Sequence, residues 1–396
     1  MIYLVTVVVL FFFSIYFDLR GCSKSKSANI CYYGTLIWFI FLSGFAYNVG
    51  SDIPEYMYEY DRFSTYYISS FKDILDFEDD RQPGWVLLNY ICHAITPNFV
   101  LLKLVISVFC NVIIFRFVRK HTKALFISIL FYGIILYLHI NFNSIRQAIA
   151  LGFFLIGVDY LIEKKWFKYY LSVFLAFLFH SSAIILVAIP FLLFIPINKK
   201  TVTLLSLLLV ISVFVLLRID TQGIMYQFVL DNIDYMPDDY MEKADMYLGE
   251  AESSNASLFG IIALALQICL LVFVLIENLK IDGTEGKLFL SILVLYIIIT
   301  ILNRIVPVLF SRIIQYFDIF YICLLPNALM RFSRQLTRKQ VLTPLLILVF
   351  MIIPVRELTA INQQSGIPMI AQYAPYYSVF NPKIDPVRSA NFGSHR

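Results

Sequence analysis

The stretch Leu258–Ile276, LFGIIALALQICLLVFVLI, decides the fold. It carries no charge, and Gln267 is its one amide. A helix of a soluble domain shows water a polar face; this one has none to show, so lipid is its solvent on at least one side. Val202–Leu217 reads the same way.

Composition extends that reading to the whole chain. Of 396 residues, 60% are hydrophobic and 15% charged, whereas soluble domains run near ~45–50% apolar and ~25% charged. The mean hydropathy is +0.78. A formal charge of +4 is too small and too scattered along the chain to suggest a nucleic-acid partner, and none is expected. Cys22, Cys31, Cys92, Cys110, Cys269 and Cys323 form no CxxC pair and lie mostly in apolar runs. They read as small core residues rather than a metal site or disulfide framework. Met1–Phe17 is apolar without a basic n-region or small-residue cleavage site, which predicts a retained first span rather than a signal peptide.

A span takes roughly 20 residues, fewer where the bilayer is thin. Candidates are 2–17, 31–49, 98–118, 124–140, 145–162, 166–180, 181–196, 202–217, 258–277, 287–302, 305–326 and 341–355. Trp85–Ile95 reads as a short interfacial or half-inserted helix. The expected class is all-α, a polytopic integral membrane protein with about 11–13 transmembrane helices. One transmembrane domain would cover 1–355, with long outward loops at 50–97 and 218–257 and an outward tail at 356–396.

Orientation follows the basic connectors: Arg20/Lys24/Lys26, Arg116/Arg119/Lys120/Lys123, Lys164/Lys165/Lys168, Lys199/Lys200, Lys280/Lys287 and Arg331/Arg334/Arg338/Lys339. Stretches 50–84 and 218–257 are acidic instead, with nine Asp/Glu each against three and two Lys/Arg. Putting every basic connector in the cytoplasm requires 166–196 to enter and return as two short helices, turning near His180–Ser181–Ser182. A single crossing would invert everything after it. The turn would have to line a cavity within the protein, since irregular backbone is not tolerated against lipid. No internal repeat is visible.

Ionisable residues at membrane depth are costly, which makes them functional candidates. Arg146, with Gln147, opens the fifth span. Its planar fork suits a diphosphate or acidic sugar, or it is a snorkelling helix-end cation. His180 is alone in an apolar stretch; it suits proton transfer, or it fixes the turn through a backbone hydrogen bond. Arg304 and Arg312 precede Gln315, Tyr316 and Asp318. Arg312, Gln315/Tyr316 and Ile319 share a helix face by spacing, and Pro307 loosens the helix start, so Arg312 is expected to face the bundle interior; Asp318 is either part of that site or a neutraliser of a nearby cation. The loop Ser51–Arg62 interleaves Tyr56, Tyr58 and Tyr60 with Asp52, Glu55, Glu59 and Asp61. Flat apolar rings beside acids suit sugars, with Asp52 or Glu55 as general base; the other reading is a solvated acidic loop. Walker A, HExxH, GxSxG and DxD patterns are missing, so ATP, nucleotide sugar and metal are not required and no cofactor is expected.

Several of these residues carry a resemblance. Arg146-Gln-Ala-Ile-Ala-Leu, then Leu161-Ile-Glu-Lys-Lys and Phe179-His-Ser-Ser-Ala, resembles the core signature of the EpsG family, Wzy-type polymerases of bacterial O-antigens, capsules and exopolysaccharides. Ser51-Asp52, Tyr56 and Tyr60 are similar to its first outer loop. Gln82-Pro-Gly-Trp85 resembles its acidic-Pro-Gly-aromatic element with Gln82 in place of the acid. Ser311-Arg-Ile-Ile-Gln-Tyr-Phe317 resembles its late arginine-tyrosine segment. Arg146 to Gly157 matches an arginine-to-glycine spacing of Wzy outer loops; the position equivalent to Gly157 after Arg312 is Cys323.

The resemblance implies a GT-C-like membrane glycosyltransferase in the bacterial inner membrane, its active site facing the periplasm. It would polymerise undecaprenyl-diphosphate-linked oligosaccharide, as donor and acceptor, into O-antigen of lipopolysaccharide or exopolysaccharide. Membrane lipid, and a chain-length-regulating co-polymerase, are the other partners implied. On that view Arg146, His180, Arg312 and Asp52 are catalytic, and Gln147, Tyr56, Glu55, Arg304, Tyr316 and Arg62 bind substrate. An O-antigen ligase-like transferase and a flippase or transporter of lipid-linked oligosaccharide are the alternatives. A transporter would spread charge through its spans and often show repeat symmetry; here charge gathers on one side.

Overall fold

The computed structural model describes residues 1–63, 81–195, 197–198, 200–201, 258–279, 281, 283–305, 307–335, 339–361 and 366–392. The expected span 202–217 and the loop 218–257 lie outside these, as do residues 64–80 of the first acidic loop. The described residues are helical, with isolated bridges and no strand. Among the described residues, six helices are long and apolar enough to cross a membrane: Ile2–Leu19, Phe99–His121, Ile145–Ile162, Gly283–Asn303, Phe310–Ser333 and Leu342–Thr359. Leu125–Ile135, Ser181–Phe194 and Ile262–Asn278 are shorter apolar helices. The protein is an all-α multi-pass membrane protein.

The chain divides into two compact units, Met1–Pro190 with Tyr321–Arg396, and Phe191–Phe320. In the first, the helices are α1 (Ile2–Phe13, running on as a π-helical turn Ser14–Leu19), α2 (Lys26–Gly44), α3 (Ile53–Arg62), α4 (Pro83–Ile95), α5 (Phe99–His121), α6 (Leu125–Ile135), α7 (Tyr137–Phe142), α8 (Ile145–Ile162) and α9 (Trp166–Phe177). Helix α2 stops at Gly44, five residues short of the expected 49, because the chain turns there to pair with the C-terminal segment. Pro83 starts α4 where a missing N–H costs nothing. Ser25 caps α2 through Ala28 N, and Asn98 caps α5 through Val100 N. The start of α6 is capped from afar: Asp18 accepts from Ile127 N at 2.8 Å.

Polar residues tie these helices where water is absent. Ser43 and Ser107 share a 2.5 Å hydrogen bond. Asn111 donates to Asn141 Oδ1 at 3.0 Å and accepts from the Tyr132 hydroxyl at 2.9 Å. Lys103, only 2% exposed, donates to the Asn141 carbonyl and lies 5.2 Å from the Phe142 ring centroid. Whereas the first span is largely exposed, helix α8 is buried along most of its length. It approaches α5 so closely that a Cβ on Gly152 would come within 2.6 Å of Phe109.

The 166–196 region does fold back on itself. Helix α9 ends at Phe177, and a 3-10 helix follows over Ser181–Phe194. Across the turn, the Tyr169 hydroxyl donates to the Leu186 carbonyl at 2.5 Å, which a continuous helix would separate by about 25 Å. The second arm differs from the expected α-helix. Fourteen residues in 3-10 form extend about 28 Å, close to a bilayer core, whereas an α-helix of that length reaches about 21 Å. Tyr169→Phe is expected to cost about 1 kcal/mol by removing the hydroxyl's hydrogen bond across the turn, read as a lowered Tm in detergent; an unchanged Tm would show that other contacts hold the hairpin.

The second unit holds α10 (Leu258–Asn278), α11 (Gly283–Ile305) and the start of α12 (Pro307–Ser333). Helix α12 outruns the expected 305–326: Pro326 is accommodated within it and it continues to Ser333. Its end belongs to the first unit, where Asn327 accepts from Lys123 N at 2.9 Å. Helix α13 (Lys339–Thr359), a 3-10 turn at Met369–Gln372 and α14 (Pro386–Phe392) complete the chain.

Candidate functional site

The start of α8 delivers Arg146 to a polar cluster in the first unit. Its Nε donates to the Tyr56 hydroxyl at 3.3 Å and its Nη1 to Gln82 Oε1 at 3.1 Å. The guanidinium carbon lies 5.7 Å from the Tyr56 ring centroid. Tyr56 is 5% exposed and packs edge-on against Trp85, centroids 5.2 Å apart. Burial pushes its phenol above the ordinary tyrosine value, Arg146 pulls it down, and Asp52 pushes it up again. Tyr56 therefore lies within reach of both charges, Arg146 and Asp52.

Helix α3 supplies the acids. Asp52 stands at its N-cap and accepts from the Ser51 hydroxyl at 2.6 Å. Glu55 and Glu59, one turn apart, both engage Arg81, with Glu55 at 2.6 Å. Tyr60 is fully buried and its hydroxyl donates to the Thr96 carbonyl at 2.7 Å, pinning α3 to the end of α4. Arg62 lies over Tyr58, 5.7 Å from its centroid.

The Gln82–Gly84 entry to α4 joins this cluster to the hairpin turn. Gly84 N donates to the Leu178 carbonyl at 2.8 Å, two residues before His180. A Cβ on Gly84 would meet that carbonyl oxygen at 2.7 Å, so only glycine allows the approach. His180 is 8% exposed. Its Nδ1 lies 2.6 Å from the Ser182 hydroxyl and accepts from Ser182 N at 3.3 Å. An accepting Nδ1 places the ring proton on Nε2. Gln147 is buried beside Arg146 on α8.

Asn143, three residues before Arg146, is the hub of the cluster. Its Oδ1 accepts from Ser51 N at 2.9 Å, and its Nδ2 donates to Gln372 Oε1 at 2.7 Å and the Tyr373 hydroxyl at 3.0 Å.

In the second unit, Tyr316 and Gln315 are buried on α12, and Asp318 accepts from the Tyr296 hydroxyl at 2.8 Å. Arg312 is exposed, whereas Gln315, Tyr316 and Ile319 on the same helix face are buried, so it is not enclosed in the packed part of the helix as expected. Spacing puts these residues on one face but does not fix how far along the helix the packing extends. Arg304 lies on α11, and its side chain is outside the described residues.

Sequence reasoning singled out Arg146, Tyr56, Asp52, Glu55 and His180, which fall in or beside one cluster. It missed Glu59, Arg81 and Asn143 as members. The i, i+4 spacing of Glu55 and Glu59 was the available signal for the first. Nothing local marks Arg81 or Asn143, whose partners lie across 22 to 230 positions of chain. Among the described residues no group of His, Cys, Asp and Glu is arranged to hold a metal ion.

No curated protein and no solved structure matched the chain. A family model described as EpsG family matches residues 29–378, a range that contains the Arg146 cluster, the hairpin turn and the Ser311–Phe317 segment. The chain therefore belongs to the EpsG family, whose members are Wzy-type polymerase-like.

Proposed function

We propose that this protein is a glycosyltransferase that joins undecaprenyl-diphosphate-linked oligosaccharide units into O-antigen or exopolysaccharide on the periplasmic face of the inner membrane. The observation that carries this reading is the Arg146–Tyr56–Gln82 cluster at the start of a central membrane helix, with acids one helix away. Family membership supports the polymerase-like role.

In the proposed reaction the acceptor hydroxyl oxygen attacks the anomeric carbon of the donor chain. The bond to the diphosphate breaks, and the diphosphate leaves with the electron pair. Gln82 is a neutral acceptor, so Arg146 keeps its net positive charge to set against the leaving group. The acceptor proton goes to Asp52, because His180 with its proton on Nε2 is a donor and its remaining base, Nδ1, is taken up by Ser182. His180 then donates to a phosphate or sugar oxygen. His180→Gln, which keeps an N–H, is expected to retain at least ten-fold more activity than His180→Ala; equal loss in both would return the base role to His180. Gln147, Glu55, Arg62, Tyr56, Arg304 and Tyr316 are proposed substrate contacts, and Arg312 a second catalytic cation.

The test is a gel of surface and lipid-linked polysaccharide from a deletion strain, complemented by wild type, Arg146→Ala, Arg312→Ala and Lys200→Ala. A single-repeat product in the deletion, restored to a ladder by wild type and Lys200→Ala but not by the two arginine variants, supports the proposal. A full ladder stranded on the lipid carrier means a ligase. Loss of every exported unit means a transporter.

A further inference from the structure

The C-terminal segment is woven into the turn that opens α3. Tyr47 N donates to the Tyr377 carbonyl and Val379 N to the Phe45 carbonyl, both at 3.0 Å, framing Ala46 and Ser378 as an antiparallel pair. Gly50 N donates to the Gln372 carbonyl at 3.0 Å. Arg388 closes the weave. It is 2% exposed, and its guanidinium reaches three main-chain carbonyls: Asn48 and Pro375 at 2.5 Å each, and Ala371 at 3.4 Å. Asp385 Oδ1 accepts from Arg388 N at 2.9 Å, fixing the start of α14 that carries it.

The turn so held is a strained one. Asn48 has φ +49° and Gly50 φ +108°, and a non-glycine residue in the left-handed region costs about 1 kcal/mol or more and persists only where its surroundings over-determine it. Arg388 on the Asn48 carbonyl and Gln372 on Gly50 supply that determination. The turn leads directly into Asp52 and Tyr56, and Gln372 also grips Asn143, three residues from Arg146. Arg388 lies beyond the 29–378 range of the family match.

We infer that Arg388 is a positioning residue for the Arg146 cluster: by holding the 48–52 turn against the C-terminal segment, it sets Asp52 and Tyr56 against Arg146. This rests on the polymerase reading for its functional consequence. It acts as a fixed brace, not as a lid that opens in each cycle.

An antiparallel pair framed by hydrogen bonds on both sides, but not bonded within itself, has Cα atoms about 4.5 Å apart, within disulfide range. Ala46→Cys with Ser378→Cys can therefore replace the brace by a covalent bond. The experiment uses the full chain in native membranes, with disulfide formation read by maleimide labelling of the denatured protein and activity by the polysaccharide ladder. Arg388→Met is expected to lower polymer output at least ten-fold at unchanged protein level, and to lower the disulfide yield of the Cys pair at a limiting dose of oxidant. The oxidised Cys pair alone keeps wild-type activity. In the triple variant, full oxidation restores the ladder and reduction abolishes it again.

Wild-type activity in Arg388→Met overturns the proposal. So does a formed disulfide that fails to rescue, or an oxidised Cys pair that is itself inactive, since that segment would then have to move. Disulfide yield needs no enzymatic assay. If wild type makes no polymer while Arg388→Met still lowers the yield, the brace stands and the polymerase reading falls.

Discussion

Arg146→Lys is expected to cut the initial rate of polymer formation by roughly 10³-fold while leaving the membrane level of the protein unchanged. Lysine keeps the charge but loses the planar fork that donates to Tyr56 and Gln82 from two fixed nitrogens. An ammonium can satisfy one of these partners, or a phosphate oxygen, but cannot hold the geometry of all three. Because Tyr56 is buried against Trp85, its ring does not follow a shifted cation. Near-normal activity in Arg146→Lys would show that only a positive charge is needed there, and the bidentate role would fall.

Gly50→Val is expected to stop the protein accumulating at all, through a penalty above about 4 kcal/mol. A Cβ at this position would lie 1.8 Å from the Phe142 carbonyl oxygen, a main-chain atom, and 2.7 Å from Asn143 Oδ1, a side-chain end that its hydrogen bond from Ser51 N holds in place. The backbone conformation, φ +108°, is closed to residues with a side chain in any case. Gly34→Ala is the control: nothing lies within 4 Å of the added atom, and alanine in a helix stabilises by about 0.5–1 kcal/mol over glycine. Immunoblots of membranes would show Gly34→Ala at or above wild type and Gly50→Val absent. Normal levels of Gly50→Val would mean that the 48–52 turn can relax away from Phe142, and the close junction with it.

Both predictions concern one junction, and its legibility in the sequence was uneven. Arg146, Tyr56 and Asp52 were visible because a charge at a helix start beside lipid, or an acid among tyrosines, is costly enough to be informative wherever it occurs. The hairpin was visible too, since the charges of Lys164/Lys165/Lys168 and Lys199/Lys200 balance only if the chain returns. Its 3-10 second arm was not, because SSAIILVAIPFLLF has the same apolar content in either helix and only the distance to be covered separates them.

The second unit shows the limit from the other side. Gln315 and Tyr316 are buried as the spacing from Arg312 suggested, yet Arg312 itself is exposed. A period of 3.6 residues names neighbours on a face; it does not say where the packed sector ends.

What the sequence determined by itself is therefore the solvent, the class and the cations worth testing: runs such as Leu258–Ile276 cannot face water, and the transfer cost of burying or exposing them depends on composition alone. What only the tertiary structure decided is which side chains meet. Asn143 touches Ser51, Gln372 and Tyr373, and Arg388 touches Asn48, contacts made across 92 to 340 positions of chain. Such contacts arise from how packed helices and the C-terminal segment share one small volume, and no local pattern of residues encodes them.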